Sequence, residues 1–193
     1  MIFYLLSLMI VKVNVIVTGP PRSGKSTVIK KVIDELRKSG LKVGGIMTPQ
    51  ILIRGRRYGF KIVDIYTGGE KILASIDIKS RTKVSKYGVD LGVLESFGVE
   101  AIRRAIDSCD IIIIDEIGKM ECLSKSFRNI VEMALNSDKA VLATIPMKTR
   151  DPFILSVKKR RDVIVFNVLE ENKDKLAIKI LRLVGGYDYS GSR

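Results

Sequence analysis

Two rhythms of apolar residues alternate along the chain. Val13–Val17, Asp110–Asp115, Ala140–Ile145 and Val163–Val168 are short runs with almost no polar position inside them. Such runs predict strands buried on both faces, as in a parallel sheet. Between them apolar residues recur every three or four positions, the period of a helix with one buried face. Val28, Ile29, Val32, Ile33 and Leu36 define such a face over Ser26–Lys38, which Gly40 ends. Val99, Ile102, Ala105 and Ile106 do so over Val99–Ser108. Phe127, Ile130, Val131, Ala134 and Leu135 do so for a helix that Ser124 can cap. Asp151-Pro152 has the form of an N-cap and first-turn proline, and Leu176–Val184 reads as a closing helix stopped by Gly185-Gly186. The alternation predicts an α/β fold, a mostly parallel sheet flanked by helices.

One stretch breaks the rhythm. Leu41–Thr48, Gln50–Arg54, Tyr58–Tyr66 and Lys71–Ile76 all read as strands, separated by Gly55-Arg56-Arg57 and Thr67-Gly68-Gly69 with no helix between. That predicts an antiparallel β-hairpin insertion over about 41–76, followed by a basic loop from Lys79 to Lys86. At 193 residues the whole chain, 1–193, suits a single domain. The opening MIFYLLSLMIV lacks the features of a signal peptide, and Lys12 and Asn14 interrupt it too early for a membrane span. It is expected either to lengthen the first strand or to precede a true start at Met9. The tail Tyr187–Arg193 is expected to be mobile.

Composition narrows the chemistry. With no histidine and only Cys109 and Cys122, the chain has no His-based catalysis, few routes to a zinc site and no disulfide framework. This suits a reducing cytoplasm, and a cytoplasmic monomer is the expectation. The net charge of +13 favours polyanionic partners, whether nucleotides or nucleic acid.

The loop between the first strand and first helix makes that specific. Thr18 is followed by Gly19-Pro20-Pro21-Arg22-Ser23-Gly24-Lys25-Ser26-Thr27, with the G-x-x-x-x-G-K-S/T spacing of a Walker A loop. Successive backbone N–H groups can wrap a phosphate there, at the positive end of the helix. Lys25 then bridges terminal phosphates and Ser26 offers an oxygen to Mg²⁺. A nucleoside triphosphate is the expected ligand and Mg²⁺ the expected cofactor. The run Ile111–Ile114, ending in Asp115-Glu116, has the form of a Walker B strand. Asp115 would hold Mg²⁺ opposite Ser26, largely through water, and Glu116 can polarise a water in line with the γ-phosphate. Thr144 ends the next strand, either as a contact to the γ-phosphate or attacking water or as an ordinary β-branched strand residue.

The segments TGPPRSGKST at 18–27, VGGIMTPQ at 43–50, GFKIVDI at 59–65, KYGVD at 86–90, IIIIDEIGKMEC at 111–122, LATIP at 142–146 and RRDVIVFNVLEENKD at 160–174 occur in this order. Together they resemble the thermophilic, cancer-related nucleoside triphosphatase family of archaea, bacteria and animals, over nearly the whole chain. The resemblance implies a RecA-like P-loop domain and Mg²⁺-dependent hydrolysis of ATP, GTP, CTP, UTP and TTP to diphosphate and phosphate, with weaker action on some diphosphates. It implies that Lys119 and Glu121 shape the nucleotide pocket, and that Lys86 and Tyr87 belong to a family segment. Arg160 matches a basic position of the family and is either a cation for transition-state charge or a solvated charge in the run Lys158–Arg161. Arg22 stands where the family usually has glycine, Ser26 where it has a threonine-type ligand, and Lys173 where arginine is usual.

Two other readings share the phosphate machinery. A nucleotide or nucleoside kinase needs an acceptor pocket and a water-excluding lid, which the insertion at 41–76 could build. A nucleic-acid-binding ATPase module would use the basic stretches 54–61, 79–86 and 158–161, with Tyr58, Phe60 and Tyr87 stacking on bases. Solvated loop lysines and arginines account for those stretches more simply.

Overall fold

The computed structural model describes residues 12–169 and 172–186. The expectations for the first eleven residues and for the tail Tyr187–Arg193 lie outside the described residues. In chain order the first half comprises β1 (Asn14–Thr18), α1 (Lys25–Lys38), β2 (Val43–Met47), β3 (Gln50–Ile53), β4 (Arg56–Asp64), β5 (Glu70–Ser75), β6 (Lys83–Val84) and β7 (Tyr87–Val89). The second comprises the single turn α2 (Leu91–Val93), α3 (Val99–Ser108), β8 (Ile111–Asp115), α4 (Lys125–Asn136), β9 (Ala140–Thr144), α5 (Pro152–Lys159), β10 (Val163–Asn167) and α6 (Lys173–Gly185).

The strands form one ten-stranded sheet in the order β10-β1-β9-β8-β2-β4-β5-β7-β6, with β3 paired to β4. From β10 to β2 every neighbouring pair is parallel. Alternate side chains of the apolar runs enter two separate cores. Ile111 and Ile113 pack with α1 and α6, through Val28, Ile29, Leu176 and Ile180. Ile112 and Ile114 pack with α3 and α4, through Ile102, Phe127 and Val131. A strand covered on both faces must be apolar at every position, which is why the run carries no alternation. Each isoleucine so buried contributes about 1.5–3 kcal/mol.

The connections position the site. β1 leads through α1 towards β2, whereas β9 leads through α5, on the opposite face, to β10. The carboxyl ends of β1 and β9 therefore flank a switch point, where open α/β sheets leave a crevice for ligands. The helix signals read from the sequence operate as expected. Ser124 Oγ accepts the Phe127 N–H at 3.1 Å, and Asp151 Oδ1 accepts those of Phe153 and Ile154 at 2.9 and 3.2 Å.

Three local expectations are corrected. β2, grouped with the hairpins over 41–76, belongs to the parallel core and pairs with β8 from Val43 to Met47. An apolar strand with two glycines carries no mark of its partner's direction. The antiparallel extension instead comprises β3 to β7, so part of the basic loop 79–86 is strand, and Tyr87–Val89 of the KYGV segment form β7 against β5 and β6. The turn placed at Gly55-Arg56-Arg57 falls one residue earlier, at Arg54 (φ 49°) and Gly55 (φ 74°), so both Arg56 and Arg57 enter β4. Helical structure also begins before Val99. Asp90 caps α2 by accepting the Val93 N–H at 2.9 Å, and a π-helical turn over Leu94–Gly98 joins it to α3. Gly92 and Gly98 conceal this segment because glycine weakens a helical pattern in sequence.

Candidate active site

The P-loop leaves the carboxyl end of β1, where Val168 N–H bonds to Thr18 O at 2.7 Å and ties the strand to the β10 edge. Gly24 precedes α1 with φ 92°, and a Cβ there would lie 2.7 Å from Lys173 Cε. The backbone favours glycine at that position, whereas the flexible end of the lysine could move aside. Lys173, which stands where arginine is usual in the 160–174 segment, thus lies against the phosphate loop at Gly24. Arg22 adopts φ 65°, the left-handed conformation that costs a residue with a Cβ roughly 1–2 kcal/mol. Lys25 Nζ donates back to the carbonyls of Gly19 and Pro20 at 3.2 and 3.3 Å.

At the end of β8, Asp115 is 5% exposed. Thr144, fully buried at the end of β9, donates to Asp115 Oδ1 at 2.6 Å. Of the two readings of Thr144 neither is complete: neither it nor Asp115 lines the phosphate cavity, and its hydroxyl is spent on fixing the Asp115 carboxylate. Thr48 holds the backbone of the same residue, its hydroxyl donating to Asp115 O at 3.0 Å. Asp115 Oδ2 carries no hydrogen bond among the described residues. No cluster of three or more His, Cys, Asp or Glu among the described residues could cage a metal. One fixed carboxylate and the Ser26 hydroxyl form an all-oxygen donor set that suits Mg²⁺, which takes its other ligands from phosphates and water.

Glu116 follows at the mouth. Burial raises its pKa above the ordinary carboxylate value, Lys25 draws it back, and Asp115 adds to the rise. Gly118 separates it from Glu121: a Cβ on Gly118 would lie 2.7 Å from Glu121 Oε2 and 3.1 Å from Glu116 Oε1. Glu121 is 5% exposed, and burial first, then the charge of Glu116, push its pKa up to about 8. Nothing in the GKME spacing announces that this residue is a buried carboxyl.

One cavity of about 960 Å³ brings the P-loop and Glu116 together. Its walls are the P-loop from Gly19 to Arg22 and from Gly24 to Thr27, Glu116, the Pro146-Met147-Lys148 loop after β9, and Gln50, Arg57 and Phe60 of the antiparallel extension. A second cleft of about 640 Å³ shares Glu116, Pro146 and Lys148 and adds Lys119, Thr149 and Arg150. Lys119 thus faces this side cleft and not the phosphate loop. Gln50, Arg57, Phe60 and Lys148 had no place in the sequence-derived site. Gln50 and Phe60 lie in the family segments 43–50 and 59–65 and Arg57 in the basic, aromatic stretch 54–61, but nothing in those segments marks them as cavity walls.

Arg160 is not part of this site. Its Nε donates to Asp162 Oδ1 at 2.9 Å, and one terminal nitrogen reaches Asp162 Oδ2 at 2.7 Å and Asn136 Oδ1 at 2.8 Å. Asn14, the first residue of β1, also donates to Asp162, at 3.0 Å. This knot lies at the amino end of the parallel strands, opposite the P-loop, so the transition-state role for Arg160 falls away. Of the aromatics proposed to stack on nucleic acid, Tyr87 is buried and Tyr58 donates to Asp77 at 2.5 Å, while Phe60 lines the nucleotide cavity.

The chain resembles known proteins along most of its length. The NTPase family model matches residues 14–181. Nucleoside-triphosphatase THEP1 of Methanothermobacter thermautotrophicus is 42% identical over 180 residues, covering 93% of this chain and 99% of that protein. The protein of that name from Thermotoga maritima is 42% identical over 171 residues, covering 89% and 95%. The crystal structure of THEP1 from Aquifex aeolicus superposes with a TM-score of 0.80 at 32% identity, covering 89% of this chain and 98% of that one. The solution structure of a human cancer-related nucleoside triphosphatase gives 0.76 at 33% identity, covering 93% and 100%.

Proposed function

The chain belongs to the NTPase family and is a nucleoside-triphosphate hydrolase, and from that premise we propose the division of labour by which it works. The substrates are ATP, GTP, CTP, UTP and TTP, cleaved to diphosphate and orthophosphate, with slower action on some diphosphates. What carries this reading is the convergence of Lys25, Ser26 and Glu116 on one cavity beside a carboxylate, Asp115, that Thr144 holds in place. The backbone of Gly19–Thr27 cradles the phosphates, and Lys25 exchanges its bonds to Gly19 and Pro20 for the β- and γ-phosphate oxygens. Ser26 and Asp115 would hold Mg²⁺, which supplies charge neutralisation across the phosphates.

Glu116 orients the attacking water and accepts its proton. The water oxygen bonds to the γ-phosphorus as the bond to the β–γ bridging oxygen breaks. The electron pair stays on the diphosphate, which leaves with orthophosphate as the other product. A carboxylate raised above its ordinary value is the stronger base, and Lys25 beside it keeps the ionised form accessible. The contacts assigned to substrate are to phosphates, so tolerance among bases follows.

The test is phosphate release from ATP with Mg²⁺ by wild type and Glu116→Gln, with and without added nucleosides and RNA. Wild type should hydrolyse alone, and Glu116→Gln should lose about 100-fold or more in turnover while still binding nucleotide. Negligible hydrolysis until an acceptor or RNA is added would overturn this reading in favour of a kinase or a nucleic-acid partner.

A further inference from the structure

With Arg160 committed to the far end of the sheet, the cations left to face a transferring γ-phosphoryl group, besides Lys25, are those of the cavity walls, Arg22, Arg57 and Lys148. We propose that Arg57, reaching in from the antiparallel extension, stabilises that charge in cis. The assignment rests on the hydrolase reading above and adds a group to it.

A register shift aims this side chain. In the β3–β4 pair, Ile51 faces Gly59 while Leu52 faces Arg57, so Tyr58 is an extra residue in β4. In a regular strand, positions 57 and 60 would point to opposite faces. The bulge turns both to one side, and Arg57 and Phe60 line the same cavity as the P-loop and Glu116. The guanidinium carbon lies 5.4 Å from the centroid of the Phe60 ring. Tyr87 braces that ring edge-on, at 5.4 Å and 81°. Arg57 Nε donates to Gln50 Oε1 at 2.9 Å, and Arg57 O accepts the Tyr87 hydroxyl at 3.4 Å.

What remains is the pair of terminal nitrogens. Among the described residues no carboxylate pairs with Arg57 or with Arg22, the other arginine on this cavity, but of the two only Arg57 is anchored, by Gln50 and the Phe60 ring. Two N–H donors in a planar fork, free of a protein anion and held at the wall of a phosphate cavity, match two oxygens of a phosphoryl group. Lys148, which lines the same cavity, offers one point charge on a loop. As the β–γ bond lengthens, negative charge spreads over the γ-phosphoryl oxygens and the departing bridging oxygen, and Arg57 opposes it without exchanging a proton.

The test compares wild type, Arg57→Ala, Arg57→Lys and Lys148→Ala by ATP turnover and by two affinities. One affinity is for a non-hydrolysable ATP analogue and the other for ADP with aluminium fluoride, a mimic of the transferring group. Arg57→Ala should lower turnover about 100-fold or more, leave analogue affinity within about threefold, and lose the extra affinity for the mimic. Arg57→Lys should recover only part of both. Turnover of Arg57→Ala near wild type, or an equal loss of analogue and mimic, would overturn the assignment. So would a mimic-specific loss in Lys148→Ala that Arg57→Ala does not show. The two readings fail separately: a wild type without hydrolysis removes the activity reading, whereas an active, mimic-binding Arg57→Ala removes only Arg57.

Discussion

Thr144 and Glu121 show how single side chains here act through others. The Thr144 hydroxyl is the partner of Asp115 Oδ1, and both groups are buried. Thr144→Val keeps the shape and deletes the donor, leaving a charged oxygen without its hydrogen bond. The half-saturating Mg²⁺ concentration for hydrolysis should rise about 10-fold, and Thr144→Ser should restore it. Glu121 affects stability in a pH-dependent way. Its carboxyl keeps a proton up to about pH 8 in the folded chain, against a value of 4.5 for the unfolded one. Below the lower value both states are protonated. Between the two values only the unfolded chain ionises, so stability falls as pH rises through this window, by at most about 1.4 kcal/mol per pH unit. Glu121→Gln cannot ionise in either state. Thermal denaturation without nucleotide should therefore show the variant gaining on wild type from pH 5 towards 8. Two curves that stay parallel would mean that Glu121 ionises in the folded chain as it does in water.

At the scale of elements, the Arg160 knot joins the end of α5, the start of β10, the end of α4 and the first residue of β1. It is partly exposed, so its contribution is modest. Arg160→Ala should cost about 0.5–1 kcal/mol, a fall of a few degrees in Tm, and leave turnover unchanged within about twofold. A loss of turnover without a loss of stability would return Arg160 to the chemistry. The same scale shows where local pattern reaches its limit. The helices α4 and α5 were legible with their N-caps, because capping is a contact between residues two or three apart. The pairing of β2 was not, since its glycine-containing run suits a parallel or an antiparallel neighbour equally. Nor was the bulge at Tyr58, which exists only as a mismatch between two strands.

Across the whole molecule, the sequence alone determined the α/β rhythm, the phosphate loop and the acidic end of the β8 strand. Each depends on contiguous residues: a backbone wrapping an anion, a helix face, a strand so apolar that both faces must be covered. The tertiary structure alone decided which distant groups share the cavity. Arg160 and Arg57 look alike in sequence, each in a basic run near the family's segments. The strand order sends one to the amino end of the sheet, and a bulge turns the other towards the P-loop. Thr144 meets Asp115 because β9 lies beside β8, and Glu121 nears Glu116 because the chain folds back around Gly118. Such meetings depend on register and strand order, which are settled by the packing of the whole sheet and leave no spacing in the chain to read.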